Sequence, residues 1–168
     1  MWTGTPRLLF PAILGAVVAI WATDPVLVAA QSSVTADDRV LGTWNLDVAK
    51  SRFNPGPAPK SQRRTYQAGP DGVRTAIRTT YADGHTDTVE YVAKYDSLEY
   101  PVYGSIEVDA LRLTKVDADT AEATLTHAGK IIGNGRRVIS SDGTTMTITY
   151  KGNGGMINYV EVFKKEQK

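Results

Sequence analysis

From Val40 onward, apolar and polar side chains alternate with a period of two, in short runs separated by turn-forming residues. Such alternation marks strands with one buried and one wet face. Val73, Thr75, Ile77, Thr79 and Tyr81 share one face of a run whose other face carries Arg74 and Arg78. The run after it places Val89, Tyr91, Ala93 and Tyr95 opposite Glu90 and Lys94. Leu111 and Leu113 stand opposite Arg112 and Thr114, Ala121, Ala123 and Leu125 form a further inward set, and Met146, Ile148 and Tyr150 another. Tyr100–Tyr103 is a short strand by the same reading, and Ile157–Lys164 is the last. Between the runs lie Gly69-Pro70-Asp71-Gly72, Asp83-Gly84, Asp117-Ala118-Asp119, Ala128-Gly129 and Asp142-Gly143, all of which favour tight turns. Gly133 and Gly135 interrupt one run and predict a bulge or bend. Pro55, Pro57 and Pro59 predict that Lys50–Ser61 is an extended loop. No segment keeps a helical period. The expectation is an all-β domain of nine or ten strands, an antiparallel meander forming a sandwich or a closed barrel. Closure has the advantage of leaving no unpaired sheet edge.

The first thirty residues follow another pattern. Leu8–Ala22 is a run of 15 residues without charge, short of the ~20 needed to span a bilayer and suited to the core of a signal peptide. Val28-Ala29-Ala30 supplies small residues for cleavage after Ala30. The expected organisation is a signal peptide over 1–30, a flexible linker over 31–39 and one β domain over 40–168, with no membrane span in the mature chain. An uncleaved N-terminal anchor is the alternative. Export to the periplasm or the medium follows from the first reading. The sequence has no cysteine, which excludes disulfides, thiol catalysis, a Cys-type zinc site and a lipid anchor on Cys. The net charge of +1 gives no reason to expect nucleic acid as a partner.

Gly42-Thr43-Trp44 at the mouth of the first strand, after a secretory leader and ahead of consecutive hairpins, resembles the lipocalin and wider calycin pattern. More narrowly, the chain resembles a group of exported bacterial proteins of unassigned activity. The resemblance is carried by Leu41-Gly42-Thr43-Trp44, by the segment from Lys50 to Ser61, by Tyr100-Pro101-Val102-Tyr103-Gly104 and by the segment from Ser141 to Thr147. It covers most of residues 40–165. It implies an up-and-down barrel of eight to ten strands, lipocalin-like or of the fatty-acid-binding type, with Gly42 and Trp44 closing one end. It also implies a basic side chain over the indole, Lys164 or Lys165. The second lipocalin motif of the Thr-Asp-Tyr kind is missing.

Candidate chemistry is sparse. His85 and His127 are the two histidines, and no cluster of His, Asp and Glu suggests a metal site. There is no Gly-x-Ser-x-Gly elbow and no phosphate-binding loop in its required context. His127 with Glu122 or Glu161 is the one acid–base pairing worth checking for an enzyme. No cofactor is expected. Ile77, Tyr81, Val89, Tyr91, Leu111, Leu125, His127, Ile148 and Tyr150 are the candidate lining of a ligand pocket, because apolar walls with a few phenols suit a small molecule. Lys50, Arg52, Arg63 and Arg64 fall in a stretch with five basic and no acidic residues, a candidate attractor for an anionic ligand. The expected function is to hold a hydrophobic or amphipathic small molecule. The alternative is a periplasmic protein-interaction or inhibitor module with a packed barrel, acting through its loops.

Overall fold

The computed structural model describes residues 38–167; the signal-peptide reading and most of the linker fall outside these residues. Eleven strands run in chain order: β1 (Gly42–Leu46), β2 (Arg52–Asn54), β3 (Ser61–Gly69), β4 (Gly72–Thr80), β5 (Thr86–Ala93), β6 (Asp96–Tyr103), β7 (Ala110–Lys115), β8 (Thr120–His127), β9 (Lys130–Ile139), β10 (Thr145–Gly152) and β11 (Asn158–Lys165). From β3 to β11 each strand pairs antiparallel with the next, and β1 pairs with both β3 and β11, which closes the sheet. A 3-10 turn at Val48–Lys50 interrupts the line from β1 to β2, and both halves lie along β11. Counting them as one strand, the molecule is a closed antiparallel barrel of ten strands.

Two sequence expectations change. Lys50–Ser61 contains a strand as well as a loop, because the Ser51 hydroxyl accepts from the Val162 amide at 2.9 Å and stitches this stretch to β11. β6 begins at Asp96 rather than Tyr100, and Tyr95 stands in the bend before it. A register shift between Asp96 and Glu99, with Ser97 at φ 64, breaks the period there and hides the strand from an alternation argument.

The turns β3–β4, β5–β6, β7–β8 and β9–β10 gather at one end, the base, and the other connections ring the opposite mouth. The base is filled: Val40, Trp44, Val73, Ala93, Tyr95, Leu113, Ile139, Met146 and Phe163 are all buried. Gly-x-Trp now has a physical reason. Gly42 sits at φ +119, and a Cβ there would lie 3.1 Å from the Lys165 side chain. The lysine stem passes through that gap. Its ammonium stands 5.0 Å from the Trp44 ring centroid and donates to the Arg39 carbonyl at 2.9 Å. Trp44 Nε1 donates to the Val40 carbonyl at 2.7 Å.

Asp38 and Arg39, the end of the expected linker, belong to this plug. Asp38 is buried and pairs with Lys115 at 3.2 Å, and Arg39 pairs with Asp119 at 2.8 Å and donates to the Ser140 carbonyl at 3.0 Å. Four contacts to four different parts of the base give these residues a fixed place.

Candidate functional site: a polar tier and an aromatic mouth

Alternation carries inward positions of every strand from the base to the mouth. Next to the base core, however, several of these positions are polar. On β3, Gln62 and Arg64 point in; on β11, Glu161 does; on β9, Arg137 does. The Arg64 guanidinium bonds Glu161 at 2.8 Å, with side-chain exposures of 14% and 9%. Arg64 Nε donates to the Gln62 side-chain oxygen at 2.8 Å, and Gln62 donates to the Thr79 hydroxyl at 3.1 Å. The guanidinium also lies 5.1 Å from the Phe163 ring centroid. Burial opposes the charge on Arg64, but Glu161 and the phenol oxygens of Tyr66 and Tyr91 outweigh it, so its pKa is raised.

Arg137 is the second inward cation, and among the described residues no carboxylate pairs with it. It donates to the Tyr95 hydroxyl at 2.8 Å and lies 5.6 Å from the ring centroids of both Tyr66 and Tyr95. Burial again opposes the charge, and the oxygens of Tyr95 and Tyr66 more than offset it. Its Nε is buried without a hydrogen-bond partner, and so is the Thr75 hydroxyl. Tyr91, two strands away from Tyr66, has its hydroxyl pushed up to about 12, first by burial and then by Tyr66. Arg64, Tyr66, Tyr91, Leu113, Arg137 and Ile148, together with the β8–β9 wall at Ala121–Ala123 and Gly135–Arg136, line a space of about 70 Å³.

Towards the mouth the inward positions open to solvent. Ile77, Val89, Leu125, Ile148, Tyr150 and Tyr159 face in and are only half-buried. Phe53 of β2 packs on Tyr159 with centroids 5.4 Å apart, and Tyr159 on Tyr150 at 6.0 Å. Tyr81 stacks on His85 at 4.3 Å. Gly133 makes room for Tyr150: a Cβ there would come within 2.5 Å of the Tyr150 hydroxyl. The glycine that suggested a bend serves a close approach. The expected bulge is there as well: the pairing of β8 with β9 shifts between Leu125 and Thr126, and the extra residue is Ile132 on β9, next to Gly133.

Ile77, Tyr81, Val89, Tyr91, Leu111, Leu125, Ile148 and Tyr150 of the expected lining face the interior, Leu111 buried and Tyr81 39% exposed at the rim. His127 does not join them. Thr126 is buried, and the His127 side chain, at the end of β8, is 51% exposed beside Asp109 at 3.9 Å. The acid–base pairing considered for His127 is not formed: Glu122 bonds Arg136 on the outer face and Glu161 bonds Arg64. The four basic residues grouped by sequence do not converge either. Arg63 and Arg64 are neighbours on a strand and so face opposite sides. Arg63 pairs with Glu166 outside at 2.8 Å, Lys50 lies 3.6 Å from Asp47, and Arg52 is exposed. Arg64 alone reaches the lumen.

Sequence reasoning missed Arg137, and it considered Glu161 only as a partner for His127. A signal existed. Arg137 lies in step with Gly133, Gly135 and Ile139, and Glu161 lies between Tyr159 and Phe163, so strict alternation places both inside.

Comparison with protein families finds no matching family model, and comparison with curated proteins finds no match. Among solved structures, the chain is similar to a redesigned β-barrel, mFAP1, bound to DFHBI, at 17% identity and a TM-score of 0.44, covering 76% of this chain and 95% of that one. It is also similar to a biogenic amine-binding protein (a selenomethionine derivative) at 10% identity and a TM-score of 0.46, covering 82% of this chain and 70% of that one. Closure of the barrel rests on its own strand pairing.

Proposed function

We propose that this protein is an exported carrier or sensor of a small amphipathic molecule, whose anionic end enters the barrel and meets Arg137. The observation that carries the reading is the Arg137 guanidinium: inward, largely buried, without a carboxylate partner among the described residues, and with an unsatisfied Nε beside a cavity. A buried charge without a partner is costly, and a buried donor without an acceptor adds to the cost. A carboxylate or phosphate oxygen supplies both. The 70 Å³ cavity matches a head group of a few heavy atoms and is far below the ~300 Å³ of a whole-ligand pocket. The apolar part of the molecule then lies in the half-buried upper lumen along Ile77, Val89, Leu125 and Ile148. Export follows from the leader-like N-terminus.

The test uses 11-(dansylamino)undecanoic acid and its methyl ester as probes. The acid is expected to bind with enhanced, blue-shifted dansyl emission, the ester at least tenfold more weakly. Arg137→Gln removes most of that preference, since truncating one partner of a buried charged contact costs about 2–5 kcal/mol. Equal binding of acid and ester, or no uptake of either, overturns the reading.

A surface role is the second reading. It is favoured by one observation: Ile106 and Met156, on the β6–β7 and β10–β11 connections at the mouth, are 93% and 78% exposed. Apolar side chains on loop tips suit contact with another surface. Full probe binding by a variant with both residues changed to Ser, together with loss of a partner recovered from envelope extracts, separates the two.

A further inference from the structure

We infer that the aromatic mouth is a second subsite, built for an organic cation such as an alkylammonium group. Its residues are Phe53, Tyr81, Tyr150 and Tyr159 with the carboxylate of Glu107. It stands on residues other than those of the anion subsite, and its test is independent of that reading.

Three observations carry it. The first is geometric. Phe53, Tyr159 and Tyr150 come from three segments, β2, β11 and β10, and their register places them side by side: Phe53 opposite Tyr159, and Tyr159 opposite Tyr150. The rings are tilted by 55° and 36° rather than stacked flat. Tilted neighbours present a concave corner of π faces, and a cation within ~6 Å of a ring centroid is attracted by its quadrupole. The rings are only half-buried, so the corner is open to a ligand.

The second is the identity of the rings. The aliphatic walls of the upper lumen, Ile77, Val89, Leu125 and Ile148, suit an apolar segment. The mouth concentrates phenols, whose faces are electron-rich and whose hydroxyls tolerate water. The absence of a side chain at Gly133 leaves room for the Tyr150 hydroxyl, which a Cβ there would meet at 2.5 Å.

The third is electrostatic. Glu107, on the β6–β7 connection at this end, has no basic partner among the described residues. Tyr81, Tyr150 and Tyr159 are each raised above the usual phenol pKa, first by burial and then, in part, by the charge of Glu107. The other charges felt by these phenols are also negative, Glu161 at Tyr81 and Tyr159, and Asp87 at Tyr81. Glu161 is already neutralised by Arg64. Glu107 thus adds a negative charge near these phenols, beside Lys60 and, on the β4–β5 connection, His85, while the tier beneath holds the cation of Arg137, which has no carboxylate partner among the described residues. Tyr150 lies two residues along the barrel from the row that joins Arg137, Ile148 and Glu161, about 7 Å at strand rise. A ligand that satisfies both ends carries opposite charges at least that far apart.

The experiment compares choline chloride with its uncharged isostere 3,3-dimethylbutan-1-ol, followed by tyrosine ring NMR shifts and calorimetry on the full mature protein. Choline is expected to shift the ring signals of Tyr150 and Tyr159 and to bind about tenfold more tightly than the alcohol. Tyr159→Leu, which keeps apolar bulk, removes that tenfold preference. Glu107→Gln, on an exposed connection where folding is not at stake, reduces it several-fold and weakens its dependence on salt. Binding of 11-(dansylamino)undecanoic acid is read on the same variants, and its retention in Glu107→Gln keeps this result separate from the anion subsite. Equal affinity for choline and the alcohol, or choline binding untouched in both Tyr159→Leu and Glu107→Gln, overturns the inference.

Discussion

The two ends of this barrel are made by the same strands yet obey different rules. At the base, most inward side chains are large, apolar and buried, and three of the polar groups there are paired: the Trp44 indole on Val40, the Lys165 ammonium on Arg39, Asp38 on Lys115. At the mouth, inward side chains are phenols and aliphatics that remain half in water. Between them lies the tier of Arg64, Glu161 and Arg137, where one cation is neutralised and the other is not. The lesson is a division of labour within one sheet. Burial at the base supplies the stability that lets the upper half keep a solvated interior and an uncompensated charge. Proteins place sites in such under-packed, electrostatically incomplete regions, because a ligand can complete them.

If that division is real, equivalent aromatic truncations at the two ends will differ sharply. Trp44→Ala is expected to cost ~3–5 kcal/mol in urea unfolding, because it leaves a cavity in a closed core. Tyr150→Ala, at the half-wet mouth, is expected to cost about 1 kcal/mol. Equal losses at both sites would mean that the mouth is packed like the base.

A carboxylate comparison sharpens the boundary. Glu161→Gln strands the Arg64 guanidinium without its counter-ion in a buried position, and about 3 kcal/mol of stability should go with it. Glu107→Gln, exposed on a connection, should stay within ~0.5 kcal/mol of the parent. Chemical denaturation of both variants at neutral pH measures the difference, and a mild Glu161→Gln would show that the tier is wetter than its exposures indicate.

The smallest expected effect is a pH limb. Tyr91 titrates at about 12 in the folded chain, above the ~10 of an unfolded phenol. An acid whose folded pKa is raised contributes stability that is whole below pH ~10 and is lost as pH climbs towards 12. Stability should therefore decline over that interval, and Tyr91→Phe should flatten the decline. Phenolate absorbance with denaturant titration at each pH reads both, and an unchanged slope in the variant would assign the limb to another group.

Much of the fold was legible because a one-sided sheet writes its burial into alternate letters. Val73 to Tyr81, Val89 to Ala93 and Met146 to Tyr150 were placed on the correct face from the period alone. Between Asp96 and Glu99 a register shift changes the parity along β6, and alternation alone reads that strand too short; His127, at the end of β8, is left exposed beside Asp109. Grouping basic residues by distance along the chain failed because, on a strand, Arg63 and Arg64 are neighbours in sequence and strangers in space.

By itself the sequence determined the all-β class, most strand positions and the turns, since these depend on local alternation and on turn-forming residues; the closing role of Gly42 and Trp44 was implied by the lipocalin resemblance. Which strand meets β1, how many strands complete the ring, and that Arg64 finds Glu161 while Arg137 finds no carboxylate among the described residues were decided only by the tertiary structure. Those outcomes depend on side chains far apart in the chain sharing one lumen, and no period of two carries that information.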